Sequence, residues 1–217
     1  MERSTRQSRL SRLRGLYAIV GDEDPVERGL LAVEGGAKVV QVRMKRSPAG
    51  EVLEVATRLV ERLADRALVI VNDRADLARL AGADGVHVGD DDLPPAEARR
   101  IVGDDLLVGR SCRTLADASA ALSEGADHVG FGPLFATRTK EIAVAPRGLE
   151  ALRRVAGSLP APVVAIGGIT LETVDEVASA GAAAAAIVED LFARGDVRER
   201  ARALAARFAA GARERRA

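Results

Sequence analysis

The chain has 217 residues, a length that one α/β barrel of roughly 200–250 residues accommodates as a single domain. Lys plus Arg and Asp plus Glu each number 32, so no overall field gathers nucleic acid or an anionic membrane, which argues against both as the main partner. Residues are 47% hydrophobic but only 2% aromatic, so a core must come from Ala, Val, Leu and Ile in regular elements; the single cysteine, Cys112, excludes an internal disulfide framework.

In chain order, the first 14 residues carry Arg3, Arg6, Arg9, Arg12 and Arg14 with little apolar content. This reads as a flexible or loosely helical tail, with the folded unit at 15–217. From Leu16 onward, short β-type runs recur at 16–20, 38–43, 68–72, 84–89, 106–111, 128–132, 162–168 and 183–188. Between them, helical spacing occupies 51–64, 75–81, 95–102, 115–124, 148–156 and 171–180, and a last amphipathic segment spans 196–215. The segments GGA, AGAD, EGAD and AGAA precede strands, where Gly can end a helix with positive φ. The run 183–188 is ambiguous alone, because Ala is a poor strand former, but it falls where an eighth strand is due. Strands apolar on both faces and alternating with helices imply a buried parallel sheet, and eight such units predict a single-domain (β/α)₈ TIM barrel.

In such a barrel the C-terminal strand ends share one face, and active sites form there. Gln41, Arg43 and Lys45 follow the second run at i, i+2, i+4 spacing, which turns all three to one side of an extended chain. Asn72 and Asp73 end the third run, Gly89 to Asp92 the fourth, Ser111 the fifth, and Gly132-Pro133 with Thr137, Thr139 and Lys140 the sixth. Gly167-Gly168 ends the seventh, where the lack of a side chain lets an anion reach backbone N–H groups. Each pattern alone has an ordinary explanation as a turn or a helix cap. Together they supply cations at Arg43/Lys45 and Lys140, hard oxygen ligands at Asp73 and Asp92, and two anion-binding loops. That set suits two phosphate-bearing ligands and Mg²⁺, which takes one or two carboxylates plus phosphate oxygens. No Cys/His zinc spacing or dinucleotide fingerprint competes.

The motifs QVRMK, NDRADLARLAGADGVHVGDDDLP, GRS, GPLFATRTK and VVAIGGI, in this order from Tyr17 to about Leu191, resemble those of the thiamine phosphate synthase family. The resemblance implies a transferase on a (β/α)₈ barrel that joins an aminopyrimidine-methyl diphosphate to a thiazole phosphate and releases pyrophosphate; the single cysteine and the lack of a signal-like or membrane-spanning apolar run lead to the expectation that it is cytoplasmic. It further implies that Gln41, Arg43, Lys45, Asn72, Ser111 and Lys140 hold the pyrimidine diphosphate, with Arg43, Lys45, Ser111 and Lys140 acting in catalysis. Asp73 and Asp92 would hold Mg²⁺. Thr137, Thr139, Gly168, Val188 and Glu189 would bind the thiazole phosphate, the loop from Gly132 closing over both substrates. A homo-oligomer is compatible with the sequence.

Three positions depart from the family pattern: Asp90 stands for the usual Gln, Arg113 for His or a small polar residue, and Glu189 for Ser. Two alternatives follow. One is the related thiazole tautomerase, suggested by PRGLE at 146–150 but lacking its histidine, which would fall at Arg113. The other is a non-catalytic phosphate-ligand-binding barrel, favoured by Glu189.

Overall fold

Eight strands pair in parallel and in chain order: β1 (Gly15–Val20), β2 (Val39–Val42), β3 (Leu68–Asn72), β4 (Gly85–Val88), β5 (Leu107–Cys112), β6 (His128–Phe131), β7 (Val163–Ile166) and β8 (Ala184–Ile187). β8 pairs back onto β1 from Gly15↔Ala184 to Ala18↔Ile187, which closes the barrel. The structure, a computed structural model, describes residues 5–136, 145–193 and 195–215. The alanine-rich run is therefore a strand. Its alternation sends Ala184 and Ala186 into the barrel centre and Ala185 and Ile187 toward the helices, so tertiary pairing overrides weak propensity.

Ten helices are present among the described residues: α1 (Arg6–Arg12), α2 (Pro25–Glu34), α3 (Ala49–Leu63), α4 (Ala75–Leu80), α5 (Pro95–Val102), α6 (Leu115–Ser123), α7 (Gly148–Ser158), α8 (Val174–Ser179), α9 (Glu189–Phe192) and α10 (Val197–Glu214). α3 buries Val52, Ala56, Leu59 and Leu63, one stripe at helical spacing against the sheet. α2 has no counterpart in the sequence reading. Pro25 sits in its first turn, and the mid-helix Gly29 that obscures the pattern packs closely on α3, where a Cβ would lie 2.9 Å from Leu59 Cδ2.

Within the N-terminal segment, Arg6–Arg12 form α1. Thr5 caps α1 by accepting from the Ser8 N–H, and the helix lies across the N-terminal mouth of the barrel. Arg9 pairs with Asp84 at 2.9 Å and donates to the Asp105 carbonyl; Arg12 donates to the Asp65 carbonyl; Arg6 stands 3.5 Å from Asp127. All four partners precede or begin strands β3 to β6. Leu13, only 2% exposed, joins Tyr17, Leu68, Ile70 and Leu107 in the barrel interior. The arginine spacing thus matches a ring of strand-start acceptors, which composition alone does not reveal. No described helix is long and apolar enough to cross a membrane.

Candidate active site

At the opposite, C-terminal mouth lies a cavity of about 470 Å³. The strand alternation predicted for 41–45 holds at its first member: Gln41, 4% exposed within β2, faces inward and its side-chain amide donates to the Tyr17 hydroxyl at 2.7 Å. That bond satisfies one amide hydrogen that would otherwise be stranded in the interior. Burial pushes the Tyr17 phenol well up, with the Gln41 bond opposing it, so Tyr17 stays neutral. Arg43 and Lys45 line the same cavity wall, and Arg43, half-buried, has no ion-pair partner among the described residues.

The ends of β2, β3 and β4 converge on two carboxylates. Lys45 Nζ lies 3.1 Å from Asp73 Oδ2, and Asp92 neighbours Asp73 closely enough to affect its ionisation. Asp73 has φ +64°, a left-handed conformation that Asp tolerates, and its N–H donates to the His87 carbonyl at 2.8 Å. Asp92 is turned back by the Gly89 N–H, which donates to Oδ2 at 2.9 Å. Burial first, and then the neighbouring Asp92, raise the Asp73 pKa, while Lys45 opposes the shift. Two carboxylates held together against this penalty form a hard, anionic pair suited to a divalent cation. Among the described residues they are not joined by a third His, Cys, Asp or Glu in a metal-holding cluster.

Ser111, at the end of β5, has its Oγ 3.1 Å from His87 Nε2. His87 in turn lies beside His128, with ring centroids 5.6 Å apart. Two imidazoles fit inside this small barrel because Gly109 and Gly130 face them: a Cβ at Gly109 would strike both rings, and one at Gly130 would lie 2.9 Å from His87 Cε1. Burial drives the His128 pKa down to about 4, and neither of its ring nitrogens has a hydrogen-bond partner among the described residues. Cys112 is no nucleophile. It is 3% exposed, and burial pushes its thiol up to about 12.

Asp90 and Arg113, two of the departures from the family pattern, form an ion pair at 2.5 Å on the cavity rim. Thr114 is the N-cap of α6, its side chain and that of Asp117 forming a capping box. On the other side, Gly167 and Gly168 have φ of +97° and +65° and lie against the β6 loop, whose Phe135 N–H donates to the Gly167 carbonyl. A Cβ at Gly167 would lie 2.6 Å from Pro133 Cα, so close backbone approach accounts for this glycine. Val188 and Glu189 also line the cavity, but the Glu189 side chain is exposed. The buried acidic residue is its neighbour Asp190, whose two carboxylate oxygens accept from Arg200 Nη2 at 2.6 and 2.7 Å and which also accepts from the Leu171 N–H.

One cavity thus gathers Gln41, Arg43, Lys45, Asn72, Asp73, Asp92, Ser111, Gly168, Val188 and Glu189. Thr137, Thr139 and Lys140 lie outside the described residues. Sequence reasoning missed Tyr17, the contact of His87 with Ser111, and the Asp90–Arg113 and Asp190–Arg200 pairs. A signal existed for the histidines: in GVHVG, VGRS and HVGFG, glycines alternate with the bulky residues of neighbouring strands.

The sequence model described as thiamine monophosphate synthase matches residues 16–191. A thiamine-phosphate synthase of Anaeromyxobacter dehalogenans is 59% identical over 97% of this chain and 95% of its own length. One from Myxococcus xanthus is 46% identical over 91% of this chain and 94% of its own. Among solved structures, the thiamine phosphate pyrophosphorylase from Pyrococcus furiosus superposes with a TM-score of 0.85 at 34% identity, covering 93% of this chain and 98% of that one.

Proposed function

The chain belongs to the thiamine monophosphate synthase family, and from this premise we propose that it joins an aminopyrimidine-methyl diphosphate to a thiazole phosphate with release of pyrophosphate. It is a transferase of thiamine biosynthesis, as its relatives are. The observation that carries the finer reading is the Asp73–Asp92 pair, with Lys45 3.1 Å from Asp73 and Ser111 lining the same cavity.

Gln41 and Asn72 orient the pyrimidine, while Arg43, Lys45, Ser111 and Lys140 receive its diphosphate. Gly168, Thr137, Thr139 and the backbone at Val188 and Glu189 receive the thiazole phosphate. The bond between the pyrimidine methylene and the diphosphate oxygen breaks with its electrons going to the oxygen, and the thiazole nitrogen lone pair forms the new C–N bond. No proton moves, so the neutral Tyr17 and His128 need supply none. Charge gathers on the leaving group, and a cation about 4 Å away is worth roughly 4 kcal/mol as a gross Coulomb attraction at an effective dielectric near 20. Arg43 and Lys45 therefore favour departure more than ground-state binding. Asp73 and Asp92 would hold Mg²⁺, which when bound supplies further neutralisation of the diphosphate.

Pyrophosphate release, followed by a coupled assay, is expected only with both substrates and Mg²⁺ present and to stop in EDTA. Release unaffected by EDTA would remove the metal from the reading. Isomerisation of a thiazole carboxylate phosphate without condensation would identify a tautomerase instead, although Arg113, where that reading needs a histidine, is engaged by Asp90.

A further inference from the structure

The loop 89–92 after β4 carries Asp90, Asp91 and Asp92 in succession and faces Asp73, so like charges crowd one edge of the cavity. Left to itself, such a loop would splay its carboxylates toward water. Two arginines from the end of β5 oppose this. Arg113 Nη2 lies 2.5 Å from Asp90 Oδ2, and Arg110 Nη2 lies 3.7 Å from the other oxygen of the same carboxylate. Arg110 Nη1 also donates to the Gly89 carbonyl, and the Gly89 N–H donates to Asp92 Oδ2 at 2.9 Å. A continuous path of contacts therefore runs from β5 through Asp90 and the Gly89 peptide to the Asp92 carboxylate. Its origin is rigid, because the Arg113 N–H donates to Asp117 Oδ2 at 3.3 Å and the residue immediately precedes the capping box of α6.

We infer that Arg113 and Arg110 are positioning residues for Asp92, holding the β4 loop in the shape that presents its carboxylate beside Asp73 to a divalent cation. The inference rests on the metal reading of that pair. Arginine suits the task, since its planar fork can engage a carboxylate and a carbonyl at once, as Arg110 does here. Partners standing behind a metal ligand typically contribute 10–100-fold to metal affinity.

The sign of the effect separates this role from simple electrostatics. Removing a cation near an anionic site tightens a bound cation through space, whereas removing a positioning contact loosens it. Metal-free protein is titrated with Mn²⁺ alone, free Mn²⁺ being read by electron paramagnetic resonance. Arg113→Ala is expected to weaken Mn²⁺ binding about tenfold. Arg113→Lys, which keeps one donor toward Asp90, is expected to recover most of the loss, and both variants are expected to melt in EDTA within about 3 °C of the parent protein. Unchanged or tighter binding by Arg113→Ala overturns the inference, as does a loss that tracks a large fall in melting temperature and is not recovered by lysine. If the alanine variant does not fold, the sign of the Arg113→Lys change decides. A parent protein that takes up no Mn²⁺ overturns the metal reading, and the inference with it; a parent that binds, beside a variant that binds equally, overturns the inference alone.

Discussion

Lys45 and Asp73 meet at 3.1 Å across the ends of β2 and β3, and the lysine only partly offsets the burial and the Asp92 contact that raise the Asp73 pKa. In metal-free protein the ionised Asp73 is therefore a source of instability. A carboxyl whose folded pKa lies above its unfolded value lends stability that is complete below the unfolded pKa and is lost as pH rises through the folded one. Asp73→Asn, which tolerates the same left-handed backbone, should melt in EDTA at pH 7 at or above the parent temperature, while synthesis falls by a hundredfold or more, on the order of a metal-site loss. Calorimetry showing the variant more than about 4 °C less stable, roughly 1 kcal/mol for a chain of this size, would contradict this account.

His128 should govern part of the acid sensitivity. Its imidazole is buried and held neutral, with the pKa driven down to about 4, whereas the unfolded chain titrates near 6.5. The unfolded state thus binds more protons in this window, and stability is lost as pH falls from about 6.5 toward 4. By pH 4.5 the loss should reach about 2–3 kcal/mol. Urea unfolding at pH 7 and 4.5 should show that drop in the parent and a smaller one in His128→Leu; parallel behaviour of the two proteins would acquit the histidine.

Gly109→Ala should be destabilising although it adds only a methyl group, because the new Cβ meets both imidazoles inside the barrel. Overpacking of this kind costs about 1–3 kcal/mol, or a melting decrease of roughly 2–4 °C per kcal/mol at this chain length. Combining it with His128→Ala should return part of the loss, as expected for residues sharing one space. Strict additivity in thermal melts would mean the rings yield without strain.

Most of the barrel was legible because its signals are local and repeated. Eight apolar runs, the glycine turns before them, and polar residues at their C-terminal ends all point to one architecture, and the structure brings Gln41, Asn72, Asp73, Asp92 and Ser111 to one cavity. What was not legible depends on contacts between distant residues. α2 carries a glycine at its centre that packs on α3, and the arginines of α1 find partners from Asp65, 53 residues from Arg12, to Asp105, 96 residues from Arg9, and on to Asp127, facing Arg6. Asp90 and Arg113, separate departures along the chain, become one ion pair only when β4 and β5 are adjacent.

Arg9→Ala should separate stability from activity. The Arg9–Asp84 pair is mostly buried at the end of the barrel away from the cavity, and Asp84 also accepts from the Val69 N–H. Loss of charged hydrogen bonds there should cost roughly 1.5–3 kcal/mol, lowering the melting temperature by several degrees with turnover at 25 °C unchanged. A reduced turnover in fully folded variant protein would connect α1 to the chemistry, contrary to the separation of faces in this fold.

Glu189 tests how a carboxylate is tolerated beside a phosphate site. Pointing inward at about 5 Å from a phosphate dianion, it would oppose binding by roughly 6 kcal/mol at an effective dielectric near 20. In the structure Glu189 is exposed at the cavity wall, whereas the neighbouring Asp190 is buried and its charge is matched by Arg200. The two adjacent acids thus have opposite surroundings, one exposed and one buried. Backbone N–H groups at Val188 and Glu189 do not depend on which side chain follows, and water screens an outward carboxylate. Glu189→Ser should therefore change thiazole phosphate affinity by less than about tenfold, or about 1.4 kcal/mol. Arg200→Ala, which strands the buried Asp190 carboxylate, should instead destabilise the β7–β8 side by about 3 kcal/mol. Titration of both variants with the thiazole phosphate, alongside their melting curves, distinguishes the outcomes: a thousandfold gain in Glu189→Ser would mean that the native side chain turns inward when the ligand arrives, and that this chain takes a second substrate less anionic than a phosphate.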